Sequence, residues 1–407
     1  MNKFGIIFLV FAAVVAVGCS KHVAAETQPA EDAWMYDESL PVPIQFGVSG
    51  VSVKVRSPFN SLDDLVGEDF GIIAMDVEQD VVLLEGETAT CVYDAVKDRQ
   101  MLQFEREKYY PYTSECNFSF FAYYKGDNPN VPAFEDDCVK LTIEGEQWGH
   151  QDVLWARSDA ERLHVRYSSS MGRYIQVQKI SSAEAYYDGF NAAYIRYLAK
   201  GKPAQYAESE WYTHTYENYM PRLSFEHAST NLRFMAVLDS ESPTAFDSTP
   251  VIKSVSISGA DIHTGADLIV VNKTDGQEGY LDVSNHPIGS LSLFNDEVSI
   301  VPTEEGILLG DGLFIQPLNK GSRLFMKVEI EHNSEVKPLN VEMTIPSNLK
   351  PGHYYTFELK LYKTTGVELA VADVAPWVEG WNSSENPSID IRNDMPTAVS
   401  GGNPSEM

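Results

Sequence analysis

Tyr355-Thr-Phe-Glu-Leu-Lys-Leu361 alternates apolar and polar residues from end to end. In an extended chain Tyr355, Phe357, Leu359 and Leu361 share one face, and Thr356, Glu358 and Lys360 share the other. That pattern describes an antiparallel strand with one face on a core and one in water. The same reading predicts strands over 223–238, 251–257, 312–318, 324–330, 341–345 and 367–374. Seven strands in about 160 residues, with no helical periodicity between them, predict a β-sandwich over residues 221–381.

The first half also reads as strands. Residues 44–55 alternate imperfectly, and 70–75 and 81–84 are continuous apolar runs. Within Cys116–Tyr124, the residues Phe118, Phe120, Ala122 and Tyr124 share a face. Further strands are expected at 163–167 and 173–180. A second sandwich is therefore expected over residues 41–157. The stretch 158–220 differs, being polar and Tyr-rich, and reads as an insertion with one short helix. Ser181 can cap that helix and Glu184 can close a capping box. Phe190, Ala193, Tyr194, Tyr197 and Leu198 follow at helical spacing, and Gly201 can end it. Residues 382–407 hold three Pro, four Asn and five Ser and are expected to be disordered. The expected fold class is all-β, two tandem sandwich domains with one short helical insertion.

Composition narrows the function. The 407 residues are 43% hydrophobic, enough for a real core. Their formal net charge is −29, which repels phosphate backbones and argues against nucleic acid as a partner. It also argues against adhesion to anionic lipid through a basic patch. Four cysteines exclude a disulfide scaffold.

Residues 1–18 read as a signal peptide. Lys3 supplies the positive start, and Ile6 to Val17 form an apolar run too short to span a bilayer. The junction Ala16-Val17-Gly18-Cys19-Ser20 resembles the lipobox of bacterial lipoproteins. The resemblance implies cleavage between Gly18 and Cys19 and acylation of Cys19, with several acyl chains giving firm membrane attachment. Residues 19–40 then serve as a polar tether. Cys91, Cys116 and Cys138 remain. If any two pair, Cys116 and Cys138 are expected to, since they are 22 residues apart, flank one hairpin and sit in an oxidising compartment.

No nucleotide, hydrolase or helical zinc motif is present, and no enzyme activity, metal or cofactor is expected. His227 follows a strand-like segment and reads as a structural hydrogen-bonding group. Glu135-Asp136-Asp137 lacks the alternating ligands and glycine of a calcium loop and reads as a solvated acidic turn. Asn272-Lys-Thr-Asp-Gly276 has the glycine but too few acids.

Several segments in order resemble the fimbrillin family of Bacteroidales. They are Ile44-Gln-Phe46, residues 53–57, Phe70-Gly-Ile-Ile-Ala-Met75, the aromatic strand ending at Tyr124, and Asp152-Val-Leu-Trp-Ala156. Leu223-Ser-Phe-Glu-His-Ala-Ser-Thr-Asn-Leu-Arg-Phe234 and Leu349-Lys-Pro-Gly-His-Tyr-Tyr355, with the strand ending near Trp377, complete the set. The resemblance covers about residues 40–381 and lies in the order of its segments. The 158–220 insertion is longer than the family pattern. The resemblance implies two transthyretin-like sandwiches in an outer-membrane lipoprotein precursor that becomes a structural, stalk, tip or anchor component of surface fimbriae serving adhesion. It implies removal of the first strand by an arginine-specific protease, with Arg56 at the matching position. It implies other fimbrial subunits as partners, joined by strand exchange, with a host or bacterial surface ligand beyond them. The alternative from the residues is a surface glycan-binding lipoprotein, which would present three or more exposed aromatics on one face.

Overall fold

The structure, a computed structural model, describes residues 39–51, 62–96, 98–111, 116–158, 163–168, 173–179, 189–192, 195–196, 220–239, 248–274, 277–294, 298–362 and 366–376. Almost every element in them is a β-strand. The first half holds β1 (Phe46–Val51), β2 (Asp69–Asp76), β3 (Val81–Asp94), β4 (Arg99–Phe104), β5 (Ser119–Tyr124), β6 (Ala133–Phe134), β7 (Cys138–Glu144) and β8 (Leu154–Ser158). Then come β9 (Leu163–Ser168), β10 (Arg173–Lys179), β11 (Arg222–His227), β12 (Thr230–Leu238), β13 (Val251–His263), β14 (Gly265–Asn272), β15 (Tyr280–Asp282) and β16 (Ile288–Ser292). The last are β17 (Ile307–Leu308), β18 (Leu313–Ile315), β19 (Arg323–His332), β20 (Glu335–Thr344), β21 (His353–Tyr362) and β22 (Gly366–Pro376).

The sandwich expected over residues 41–157 is instead a closed barrel in the order β1-β11-β8-β5-β2-β3-β4, completed by β11 from beyond that range. Closure follows from β1, which bonds on both sides: parallel to β11 and antiparallel to β4. Two of the barrel strands are apolar on both faces, and the packing shows why. Phe70, Ile72 and Ala74 of β2 point into the barrel with Phe120 and Ala122 of β5. Ile73, Met75, Phe121 and Tyr123 point outward and join the core of the second half. A strand buried on both sides has no wet face to alternate with. Gly71 is the exception that permits it, since a Cβ there would lie 2.0 Å from Cζ of Tyr123.

The second half stacks three sheets, β15-β14-β7-β6, β16-β13-β19-β20 and β17-β12-β21-β22, with β18 also on β12. Sheet pairing crosses between the halves. β7 runs antiparallel to β14 from Glu144↔Gly265 to Cys138↔Asn272, and β11 closes the barrel built by earlier strands. Indole donors reinforce the join: Trp148 Nε1–H donates to the His263 carbonyl at 2.7 Å and Trp155 Nε1–H to that of Val270 at 2.9 Å. The β19–β20 hairpin turns at Asn333 and Ser334, both at positive φ (53° and 62°), the geometry that follows strand twist.

Most of the expected 181–201 helix lies outside the described residues. Ala192, Ile195 and Arg196 have helical backbone, and the Ile195 amide donates to the Asn191 carbonyl at 3.0 Å. Phe190, expected on the helix's aromatic stripe, instead pairs as an extended residue with Phe118.

Candidate functional site: the seat of the N-terminal strand

The chain from residue 40 to β1 lies in a slot of the barrel wall. Val42, Ile44, Phe46 and Val48 are buried, at 1, 4, 0 and 7% exposure, while Pro43 and Gln45 are half-buried. Every second side chain therefore fills a pocket, as period 2 dictates. The backbone is held along its length. The Ile44 amide donates to the Lys108 carbonyl at 2.7 Å, the Tyr110 amide to the Val42 carbonyl at 3.0 Å, and the Gly47 amide to the Pro221 carbonyl at 3.0 Å. Phe46 pairs with Leu102 of β4, and Gly47 with Met101 of β4 and Arg222 of β11.

The central pocket is aromatic. The Phe46 ring meets Phe104 and Phe120 edge-on, with centroids 5.9 and 4.9 Å apart. Tyr110 stands edge-on to Phe120 at 5.9 Å. Burial pushes the Tyr110 phenol well above its usual range. Its hydroxyl and the Gln45 Oε1 are buried with no hydrogen-bond partner among the described residues. Both residues line a narrow gap, too tight for a water molecule, with Pro43, Ile195, Met220 and Pro221. The seat thus combines deep apolar burial with two unsatisfied polar atoms, each a cost of about 1–3 kcal/mol.

Gly18, Cys19 and Arg56 lie outside the described residues. Cys116 precedes β5 of the barrel, and Cys138 opens β7 in a different sheet. No disulfide joins them: Cys116 Sγ lies 3.9 Å from Gln79 Oε1, and Cys138 Sγ 3.9 Å from Glu135 Oε2. Burial, with Asp137 and Glu135 beside it, raises the Cys138 thiol to about 11.

His227 Nδ1 is 2.8 Å from Oδ2 of Asp152, whose Oδ1 accepts from the Ser229 hydroxyl at 3.1 Å, all three residues being buried. Glu135, Asp136 and Asp137 form an exposed turn before β7, with Lys140 Nζ 2.8 Å from Glu135. The Asn272 segment is a side-chain-capped turn, its Oδ1 accepting from the amide and hydroxyl of Thr274. Among the described residues, five large aromatics are exposed, Tyr93, Tyr109, Phe134, Tyr280 and Phe325, on five separate stretches of chain.

Sequence reasoning missed the residues that cover the seat from the insertion, Phe190, Ile195 and Arg196. One signal for them was present. Gly189 sits where a Cβ would lie 2.2 Å from Cβ of Asn117, a close approach that an isolated glycine can mark.

The described residues form an all-β fold whose first strand is seated between β4 and β11. No protein-family model matches it, and no curated protein does. Among solved structures it is similar to a "putative cell adhesion protein" from Bacteroides uniformis, 14% identical, covering 84% of this chain and 99% of that one, with a TM-score of 0.47. Another described in the same words, from Bacteroides ovatus, is 14% identical over 83% of this chain and 98% of that one, at 0.41. The fimbrial anchor protein Mfa2 from Porphyromonas gingivalis is 9% identical over 84% and 98%, at 0.33. None of these reaches the level at which function carries over.

Proposed function

We propose that the chain is a non-enzymatic structural component of cell-surface fimbriae, made as a precursor held at the outer membrane through lipid on Cys19 and joined to other subunits by strand exchange once its first strand is cut free. One observation carries the reading: Val42, Ile44, Phe46 and Val48 fill successive pockets of the barrel wall, eight residues and more ahead of Arg56. Cleavage after Arg56 would leave that strand held by non-covalent forces alone. A neighbour's strand could then take the slot, with main-chain hydrogen bonds giving strength and pockets giving selectivity. Until then the strand caps what would be two bare edges, on β4 and β11.

The fimbrillin-like order of segments supports the same reading. Electron microscopy of cells carrying a tagged copy tests it. Label along or at the end of surface filaments is expected. Label spread over the envelope and never on a filament would overturn it.

A further inference from the structure

The contacts around Leu40 to Gln45 point to a strand seat longer than the barrel slot. We propose that Phe190, Asn191, Ile195 and Arg196 form its second zone, an interaction surface for the extended backbone upstream of β1. Its partner is an extended peptide covering positions 40 to 48, with apolar residues at every second position and a free carbonyl two residues before the first of them. The proposal rests on the strand-exchange reading and specifies what the incoming strand must bring.

The zone has a fixed footing. Phe190 and Phe118 exchange two backbone hydrogen bonds, each 2.8 Å, and the Phe190 ring lies 6.0 Å from that of Phe120. Asn191 Nδ2–H donates to Asn117 Oδ1 at 2.7 Å. From that footing one helical turn carries Ile195 and Arg196, 2% and 9% exposed, over the upstream chain. The Arg196 guanidinium donates to the Leu40 carbonyl. Ile195 lines the same narrow gap as Pro43, Gln45 and Tyr110.

The upstream backbone is read jointly, by Arg196 of this zone and by the stretch that follows β4. The Leu40 carbonyl accepts from Arg196, the Val42 carbonyl from the Tyr110 amide, and the Ile44 amide donates to Lys108. Recognition of that kind tolerates different sequences provided the chain is extended. Loss of the upstream segment would strip a buried guanidinium of one acceptor, which favours refilling the zone. The zone is built from the insertion and is separate from β4 and β11, which hold β1 itself.

The test uses the full chain with a unique protease site placed over residues 54–58, cut before measurement. Labelled peptides of residues 38–51 and 42–51 are titrated against it. The longer peptide should bind about tenfold or more tightly, the worth of a charge-assisted hydrogen bond. Arg196→Met should bring it down to the level of the shorter peptide and leave the shorter one unchanged. Equal binding of both peptides, or equal weakening of both by Arg196→Met, overturns the second zone. If neither peptide binds the cut chain, strand exchange itself fails, and the uncut chain decides the zone. There, Arg196→Met should speed amide hydrogen exchange at Ile44 and Tyr110 while leaving the amides of β2 unchanged. No change at Ile44 and Tyr110 overturns it.

Discussion

The ring of Phe46 stands edge-on to that of Phe120, 4.9 Å between centroids, and so ties the first strand to the middle of the barrel. Both rings are fully buried, and Phe104 closes the other side of Phe46 at 5.9 Å. Truncating Phe46 leaves a cavity among aromatics that cannot collapse to fill it. Phe46→Ala should lower unfolding free energy by about 3–5 kcal/mol. Denaturant unfolding measures this, with Phe134→Ala, an exposed β6 position, as a control expected to change it by less than about 0.5 kcal/mol.

The barrel should weaken in alkali. Burial raises the Cys91 thiol to about 12 and the Tyr123 phenol to about 12, and burial with the Glu68 carboxylate raises Tyr124 further. A group that holds its proton more tightly when folded contributes its full share below its unfolded value. That share is lost as pH rises toward the folded value. For Cys91 the window runs from about 9 to about 12. Thermal midpoints by circular dichroism should be level through neutral pH and fall steadily above pH about 9. Cys91→Ala should flatten part of that fall, and an unaltered slope would remove Cys91 from the account.

Membrane attachment should depend on Cys19. Residues 1–18 end in the small residues that precede a lipidated cysteine, and no helix among the described residues is long and apolar enough to cross a membrane. Cys19→Ser should therefore release the chain from the membrane fraction. Metabolic labelling with a fatty acid should mark the parent and leave the variant blank. Label on the variant would contradict the assignment.

Much of this fold was legible wherever one strand face meets water. The alternation at 355–361 places Tyr355, Phe357, Leu359 and Leu361 in the core as read, although Thr356 on the expected wet face is buried and the strand runs parallel to β12 as well as antiparallel to β22. The face of Phe118, Phe120 and Ala122 is the inner wall of the barrel. Legibility failed where pairing joins distant segments. Nothing local marks β1 as the parallel neighbour of β11, or β7 as the partner of β14, because hydrogen-bonded backbones leave no residue signature. The site shows the same division. Alternate apolar residues around Ile44 and Phe46 were visible as a strand, though an imperfect one. Arg196 was not, since its role is set by a contact with Leu40, 156 positions away in sequence. Phe190 fitted a helical stripe by spacing, yet its partner is the backbone of Phe118.

Assembly separates a receiving subunit from a repeating one. Once cut after Arg56, the slot between β4 and β11 must be refilled by an extended segment with apolar residues at alternate positions. A self-polymerising subunit must also carry such a segment. β22 is already paired with β21 from Gly366 to Pro376, so its backbone is committed. Residues 382–407 offer Ile389, Ile391, Met395 and Val399, interrupted by Pro387 and Pro396. Only Ile389 and Ile391 are two apart, against four such residues in a row at 42–48, and each proline removes a donor from the ladder. The tail is a poor donor for this slot, which favours a tip-like or accessory role. Purified, Arg56-cleaved protein should therefore remain monomeric by gel filtration while binding an added peptide of residues 38–51. Spontaneous growth of filaments from the cleaved protein alone would identify a stalk subunit and overturn the assignment.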